Sequence, residues 1–221
     1  MKQLITLIIC SFSALFVNAQ PPKGMGASDP EAKKILDAVS AKFKTYKTVK
    51  AGFALKVEGS NGKSQGNKTG TVYMKGTKYY VNVTGQEIFC DGTNIWTYDK
   101  SAKEVQITQF DPSANTITPQ KLFTNFYDKD FLYKLNGEKK VAGKSLVEIE
   151  MTPVDKTKNF HKVYVYVDKK AQTIYSTKVL DKSGNKYTYT VTSMKPNASI
   201  SDAQFIFDKK KYPGVEEVDL R

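Results

Sequence analysis

The sequence predicts a mainly β fold with helices: one long antiparallel meander, curled or closed as a barrel, with two amphipathic helices packed on its apolar face. Three observations predict it. After Tyr46 the apolar residues change from a helical spacing to alternation, and the alternation persists for most of the remaining chain. Strand-like runs then recur about every ten residues, bounded by Gly, Asn, Asp and Ser, as in all-β sheets. At the centre, Ile88-Phe89-Cys90-Asp91-Gly92-Thr93-Asn94-Ile95-Trp96-Thr97-Tyr98-Asp99 places two apolar-aromatic runs about an Asp-Gly pair, the strongest short-range hairpin signal in the chain. A type I′ turn is expected there, with Asp91-Gly92 supplying the positive φ angles. Trp96 reads either as ordinary sheet core or as part of a cavity lining for an apolar guest.

In chain order, residues 1–19 read as a secretory signal, with basic Lys2, an apolar run from Leu4 to Val17, and small residues at Val17-Asn18-Ala19. Its apolar core is short for a membrane span, and nothing later approaches the ~20 apolar residues that a spanning helix needs. Bulky Ile8-Ile9 before Cys10 argue against a lipid-anchoring signal. Residues 20–28 form a flexible leader with Pro21-Pro22 and Gly24-Met25-Gly26. A helix follows, with Asp29 as cap and Pro30 in the first helical position, or with Ser28 and Glu31 as a capping box. Ala32, Ile35, Leu36, Val39 and Phe43 make one apolar stripe.

Strands are then expected around Phe53–Val57, Val72–Lys75, Tyr79–Val83, the central hairpin, Glu104–Thr108, Phe131–Leu135, Leu146–Met151, Val163–Val167, Thr173–Leu180, Tyr187–Val191 and Phe205–Phe207. Gly59–Gly70 reads as a polar turn, and Asn136-Gly137 and Ser183-Gly184-Asn185 as hairpin turns. Thr118 to Tyr127 breaks the alternation. Thr118 as cap, Pro119 in the first turn, and Leu122, Phe123 and Phe126 on one face predict a second short helix. Val163-Tyr164-Val165-Tyr166-Val167 is apolar on both faces, so either its tyrosines lie outside with wet hydroxyls or more sheet must be shielded than the helices cover.

The 221 residues, 40% hydrophobic, suit a single domain over 29–221. Removal of residues 1–19 leaves Cys90 as the one thiol, so no internal disulfide is expected and a monomer must be held by its core. The net charge of +12 does not indicate nucleic acid. The single arginine is Arg221, and bidentate readout of phosphates and bases favours arginine. Dispersed lysines fit a solvated surface with a weak attraction to anionic membranes or acidic proteins.

Catalytic and metal signatures fail. Gly143-Lys144-Ser145 resembles the end of a phosphate loop, but Glu138 stands where the first glycine is required, and the stretch reads as a hairpin turn. There is no Gly-x-Ser-x-Gly, His-Glu-x-x-His or Cys-x-x-Cys, and His161 alone makes no histidine metal cluster. Cys90 reads as a small buried hydrophobe. Asp168, Asp181 and Asp208 sit at strand ends, where turn roles are common. No cofactor is expected, and the chain is not read as an enzyme.

The residues do resemble a family. Gly70-Thr71-Val72-Tyr73-Met74-Lys75 before Tyr79-Tyr80, then Asp91 to Asp99 followed by Glu104-Val105-Gln106-Ile107, Thr118-Pro119-Gln120-Lys121-Leu122, Leu180 to Asn185, and Phe205-Ile206-Phe207-Asp208 before Tyr212-Pro213-Gly214-Val215 form an ordered series. With the secretion signal, this series is similar to the periplasmic outer-membrane lipoprotein carriers of the LolA family. The resemblance implies an incomplete, curved antiparallel β-barrel with a helical lid over an apolar concave face. It implies a soluble periplasmic protein that binds lipoprotein acyl chains. Such a protein receives cargo from an inner-membrane ATP-binding-cassette (ABC) transporter and surrenders it to an outer-membrane acceptor.

By position, Tyr79 and Ile88 match apolar cavity sites, and Trp96 matches the family tryptophan. With Leu36, Val39, Phe43, Phe53, Val81, Leu122, Phe123 and Phe126 they make the candidate cavity and lid. Lys75 falls where the family has a lid-latching arginine and Gly76 where it has proline, so Lys75 is either a latch or a solvated strand-end lysine. An acyl chain contributes about 0.8 kcal/mol per buried methylene, so release is the difficulty, and a lid around Leu36 and Phe123 is expected to compete with the guest. Two further readings stay open: a lipid- or lipoprotein-sensing regulatory module on the same fold, and a secreted enzyme needing a buried acid pair.

Overall fold

The computed structural model describes residues 28–112, 119 and 127–221. The first helix forms where the sequence places it. Asp29 has extended backbone and its carboxylate accepts from Glu31 N (2.8 Å) and Ala32 N (3.3 Å), Pro30 starts α1 (Pro30–Lys44), and Lys42 and Lys44 occupy its last turn. The strands follow as β1 (Thr48–Glu58), β2 (Ser64–Lys75), β3 (Lys78–Val83), β4 (Gln86–Cys90), β5 (Asn94–Asp99) and β6 (Glu104–Gln109). A four-residue α2 (Tyr127–Asp130) leads into β7 (Phe131–Val141), β8 (Lys144–Pro153), β9 (Phe160–Asp168), β10 (Thr173–Asp181) and β11 (Lys186–Pro196), and β12 (Glu216–Asp219) closes the chain.

The twelve strands of the described residues form one sheet, in the order β12-β6-β5-β4-β3-β2-β1-β11-β10-β9-β8-β7. The sheet is curved and unclosed, with β12 and β7 as its edges. Every pairing is antiparallel except β12 with β6, which is parallel. Two meanders, β1–β6 and β7–β11, thus meet at a single seam between β1 and β11.

Strand alternation gives the sheet two faces. On the helix face, Ala32, Leu36 and Val39 of α1 pack with Tyr133, Val147, Ile149, Met151, Val163 and Val165. Tyr127 joins them, and its hydroxyl donates to Asp37 at 2.8 Å. The opposite face is crossed by residues 197–215, here called the strap. Phe205, fully buried, and Phe207 pack there on Tyr80, Phe89 and Val105. Burial of a phenylalanine contributes about 1.5–3 kcal/mol. Glu87 fixes the arrangement: its carboxylate accepts from the Tyr80 hydroxyl (3.0 Å) and the strap's Tyr212 hydroxyl (2.7 Å) and pairs with Lys100 (2.9 Å). Tyr164 and Tyr166 also lie on this second face, away from α1, and burial pushes the Tyr166 hydroxyl up to about 12.

Several local expectations are corrected. The Asp91-Gly92 turn is not type I′: Gly92 alone has positive φ (93°), and the Asp91 carboxylate accepts from Thr93 N and Asn94 N at 2.8 Å, giving a three-residue loop. Most of Gly59–Gly70 is strand, because backbone pairing such as Val57↔Gly66 extends the hairpin although its side chains are exposed and polar. Asn136-Gly137 is a β-bulge inside β7, with Gly137 at φ 85°, and the hairpin turns at Ala142-Gly143 (φ 49° and 77°). Phe205–Phe207 is no strand. The chain there crosses the sheet through a 3-10 turn, and burial of two alternate phenylalanines imitates a strand pattern.

Both edges are guarded. Along β7, Asp29 N donates to Tyr133 O (2.9 Å) and Leu135 N donates to the Asp29 carboxylate (3.2 Å), so the cap of α1 also covers part of the strand edge. The bulge and exposed Lys139 and Lys140 break up the remainder. At the other edge the short β12 covers β6.

Candidate functional site

The helix face continues beyond the part that α1 covers. On the β1–β5 half, Val49, Ala51, Val72, Met74, Tyr79 and Cys90 are buried, and the last turn of α1 and the residues after it lean onto them through Phe43 and Tyr46, whose rings meet at 5.9 Å. Phe53, Val81, Ile88, Ile95 and Met194 belong to the same apolar surface but are only partly buried. Beside them Tyr189, which pairs with Leu55, is 40% exposed. Among the described residues, one apolar sheet face is therefore closed by α1 at one end and incompletely covered at the other.

Phe53 lies across β2 because Gly70 offers no side chain. A Cβ at Gly70 would stand 2.5 Å from the Phe53 ring and 2.7 Å from the Asn82 carbonyl oxygen. Where the end of α1 meets the seam, Val39, Lys42, Phe43, Tyr46, Ile174 and Met194 surround a crevice of about 10 Å³, room for roughly one water. Gln172 and Thr173 complete its rim. Lys42 Nζ donates to the Ala171 carbonyl at 2.6 Å, tying the end of α1 to the β9–β10 turn.

Most of the described candidates fall on this face. Leu36 and Val39 lie under α1, Phe43 at its end, and Phe53, Tyr79, Val81 and Ile88 on the sheet beneath and beyond it. Leu122, Phe123 and Phe126 lie outside the described residues, as does the expected helix around them up to Tyr127. Two placements are corrected. Trp96 pairs with Phe89 and Ile107 and packs on the strap cluster with Tyr98, so it is on the face opposite Tyr79, Val81 and Ile88. Alternation requires this, since its neighbour Ile95 points to the helix face.

Lys75 is also on the strap face, where its Nζ donates to Asp202 at 2.8 Å, and Met74 takes the helix-face position. It does not reach α1. Sequence reasoning misses Tyr46, Ile95 and Met194. Tyr46 and Ile95 are visible in their apolar runs, but Met194 reaches the face only through the β1–β11 seam, which no local pattern announces.

The chemistry of the face is that of a nonpolar surface. Burial pushes the Tyr79 hydroxyl up, with Cys90 adding to it, and burial likewise raises the Cys90 thiol. A buried thiol raised in this way is a poor nucleophile. Asp168, Asp181 and Asp208 hold turns, accepting from Ala171 N, Asn185 N and Lys210 N. Among the described residues no group of three or more His, Cys, Asp or Glu is placed to hold a metal, and no helix is long and apolar enough to cross a membrane.

Comparison with known proteins accords with this geometry. An uncharacterized conserved protein from Thermus thermophilus superposes with a TM-score of 0.57 at 15% identity, over 86% of this chain and 99% of that one. LprF from Mycobacterium bovis gives 0.46 at 13% identity over 80% and 97% of the two chains. A LolA superfamily protein from Nitrosomonas europaea gives 0.42 at 15% over 80% and 97%. The Thermus structure shares the fold. No functionally curated protein matches the sequence. The family model of the outer membrane lipoprotein carrier protein LolA matches residues 44–208, most of the chain from the end of α1 through the strap, and the protein belongs to that family.

Proposed function

We propose that this protein is an exported, soluble carrier that holds lipoprotein acyl chains on the helix face and transfers them from the inner to the outer membrane. Residues 1–19 serve as its secretory signal, and 29–221 work as one domain in the periplasm. The observation that carries the reading is the β1–β5 half of the helix face, where Phe53, Val81, Ile88 and Ile95 remain only partly buried beside the end of α1. An acyl chain laid there continues the core that α1 and the sheet already form. At about 0.8 kcal/mol per methylene it would be held tightly, and the end of α1, pressing onto the same surface through Phe43, would favour its release. The donor in this scheme is an inner-membrane ABC transporter and the recipient an outer-membrane acceptor.

The test is release of outer-membrane lipoproteins from spheroplasts into a soluble complex, followed by immunoblot. Release by the wild type, lost in Val81→Glu and Ile88→Glu but kept in Thr69→Glu on the strap face, is the expected result. Well-folded wild type that releases nothing from its cognate inner membrane refutes the carrier. Capture of a lipoprotein without hand-off would shift the assignment to a lipoprotein-sensing module.

A further inference from the structure

Lysines are distributed unevenly between the two ends of the sheet. One end gathers the C-terminus of α1, the β7–β8 hairpin and the β9–β10 turn. Lys42 bonds the Ala171 carbonyl, the Val147↔Val167 register sets the start of β8 beside that turn, and Lys144 Nζ stands 5.4 Å from the centre of the Tyr175 ring. Exposed Lys139, Lys140 and Lys144 flank the hairpin, and exposed Lys169 and Lys170 occupy the turn. Lys44 and Lys47 follow at the end of the helix, also exposed.

The carboxylates that these elements bring to the same end are committed to their own turns. Glu138 accepts from Ser145 Oγ and Asp168 from Ala171 N, each at 2.9 Å. At the opposite end of the same strands, Lys158 and Lys182 are interleaved with Asp155 and Asp181, and Lys182 Nζ donates to the Lys156 carbonyl at 2.6 Å. That opposite end also carries exposed Lys156 and Lys186 against Asp130, so the larger lysine excess lies at the end that holds the C-terminus of α1.

We propose that this lysine-rich end is a docking surface for the anionic headgroup plane of a phospholipid bilayer. Three features favour a lipid plane. The charges sit on separate turns and spread over a broad end surface, which suits a plane more than a peptide held in one register. All are lysines, point charges on flexible stems suited to mobile headgroups, whereas planar recognition of a carboxylate favours arginine. The crevice under α1, rimmed by Lys42, Gln172 and Thr173, lies at the same end, so docking brings the apolar seam between α1 and the sheet to the lipid surface.

Several lysines near an anionic surface each add to binding, and the attraction falls within a Debye length. Docking therefore requires anionic lipid and weakens with salt. It is independent of acyl-chain carriage, so lipoprotein-free vesicles test it whether or not the carrier reading holds.

The experiment is co-sedimentation of the protein with phosphatidylcholine vesicles, with and without about one third phosphatidylglycerol, at low and high salt. Expected is binding to the anionic vesicles alone, reversed by salt. Lys144→Gln/Lys169→Gln/Lys170→Gln should reduce it by about tenfold or more, while Lys158→Gln/Lys182→Gln leaves it within about twofold. Equal binding to both vesicle types, equal losses in the two variants, or no vesicle binding at low salt would each overturn the proposal. Absence of vesicle binding together with retention on immobilised polyglutamate would assign the surface to an acidic protein instead.

Discussion

Replacing Leu36 by alanine tests whether α1 competes with a guest. Leu36 is 3% exposed at the middle of the helix stripe, between buried Ala32 and Val39. Leucine-to-alanine changes in cores cost about 2–5 kcal/mol, depending on how well the site collapses. With Ala32 and Val39 still in place the lower end applies, about 2–3 kcal/mol, seen as a lower midpoint in urea unfolding. If a guest must displace α1, weakening the closed state by about 2 kcal/mol raises apparent affinity by up to about 30-fold. Titration of a fluorescent acyl probe measures this directly. The expected result is lower stability together with tighter probe binding. A variant that loses the stability yet binds the probe no better would refute the competition, leaving α1 as a fixed part of the core.

The remaining predictions concern the strap face. Trp96 is the one tryptophan, so acyl ligands on the helix face should leave its emission nearly unchanged, whereas detachment of the strap should shift it to the red; strong quenching by an acyl ligand would contradict the assigned faces. Phe205→Ala should cost about 3–5 kcal/mol in denaturant unfolding, while Ile206→Ala, at a side chain 48% exposed, should stay within about 0.5 kcal/mol. For Glu87, burial acts to raise the carboxyl, but hydrogen bonds from Lys100, Tyr212 and Tyr80 outweigh it and hold it below its ordinary value. Because the folded pKa is depressed, its contribution is present above the unfolded value of about 4.3 and is lost as pH falls through the folded one. Stability measured from pH 6 down to 3 should therefore fall more steeply in the wild type than in Glu87→Gln, and parallel curves would remove Glu87 from the acid limb.

What the sequence discloses depends on how local the cause is. Asp29, Pro30 and the Ala32-Leu36-Val39 stripe define α1 within fifteen residues, so cap, start and buried face are all legible. Individual strands are legible for the same reason, and so is the family. Which face a strand side chain occupies is less so. Phe89-Cys90 and Ile95-Trp96 are apolar on both sides because one face meets the helix side and the other meets the strap, and a run apolar on both sides gives alternation no phase. Trp96 enters the candidate cavity by matching the family tryptophan, and with that phase lost nothing local corrects its face. The strap itself reads as a strand because Phe205 and Phe207 are both buried at a spacing of two. Lys75 takes its latch role from position alone, and its partner Asp202 lies 127 residues away, beyond any local signal.

The single seam also governs the order in which the sheet can be completed. Each meander is built from neighbours in sequence, but β1 and β11 meet across contacts such as Gly52 N to Ser193 Oγ, 141 residues apart. Closing so long a loop is entropically costly, so the hairpins form first and the seam last. During synthesis from the N-terminus, β1 thus presents an unpaired edge until the final third of the chain has emerged. Pulse-labelled hydrogen exchange should show amides at the β1–β11 interface protected after those within β3–β5. In the cell, the interval before protection is when this protein itself most needs a chaperone.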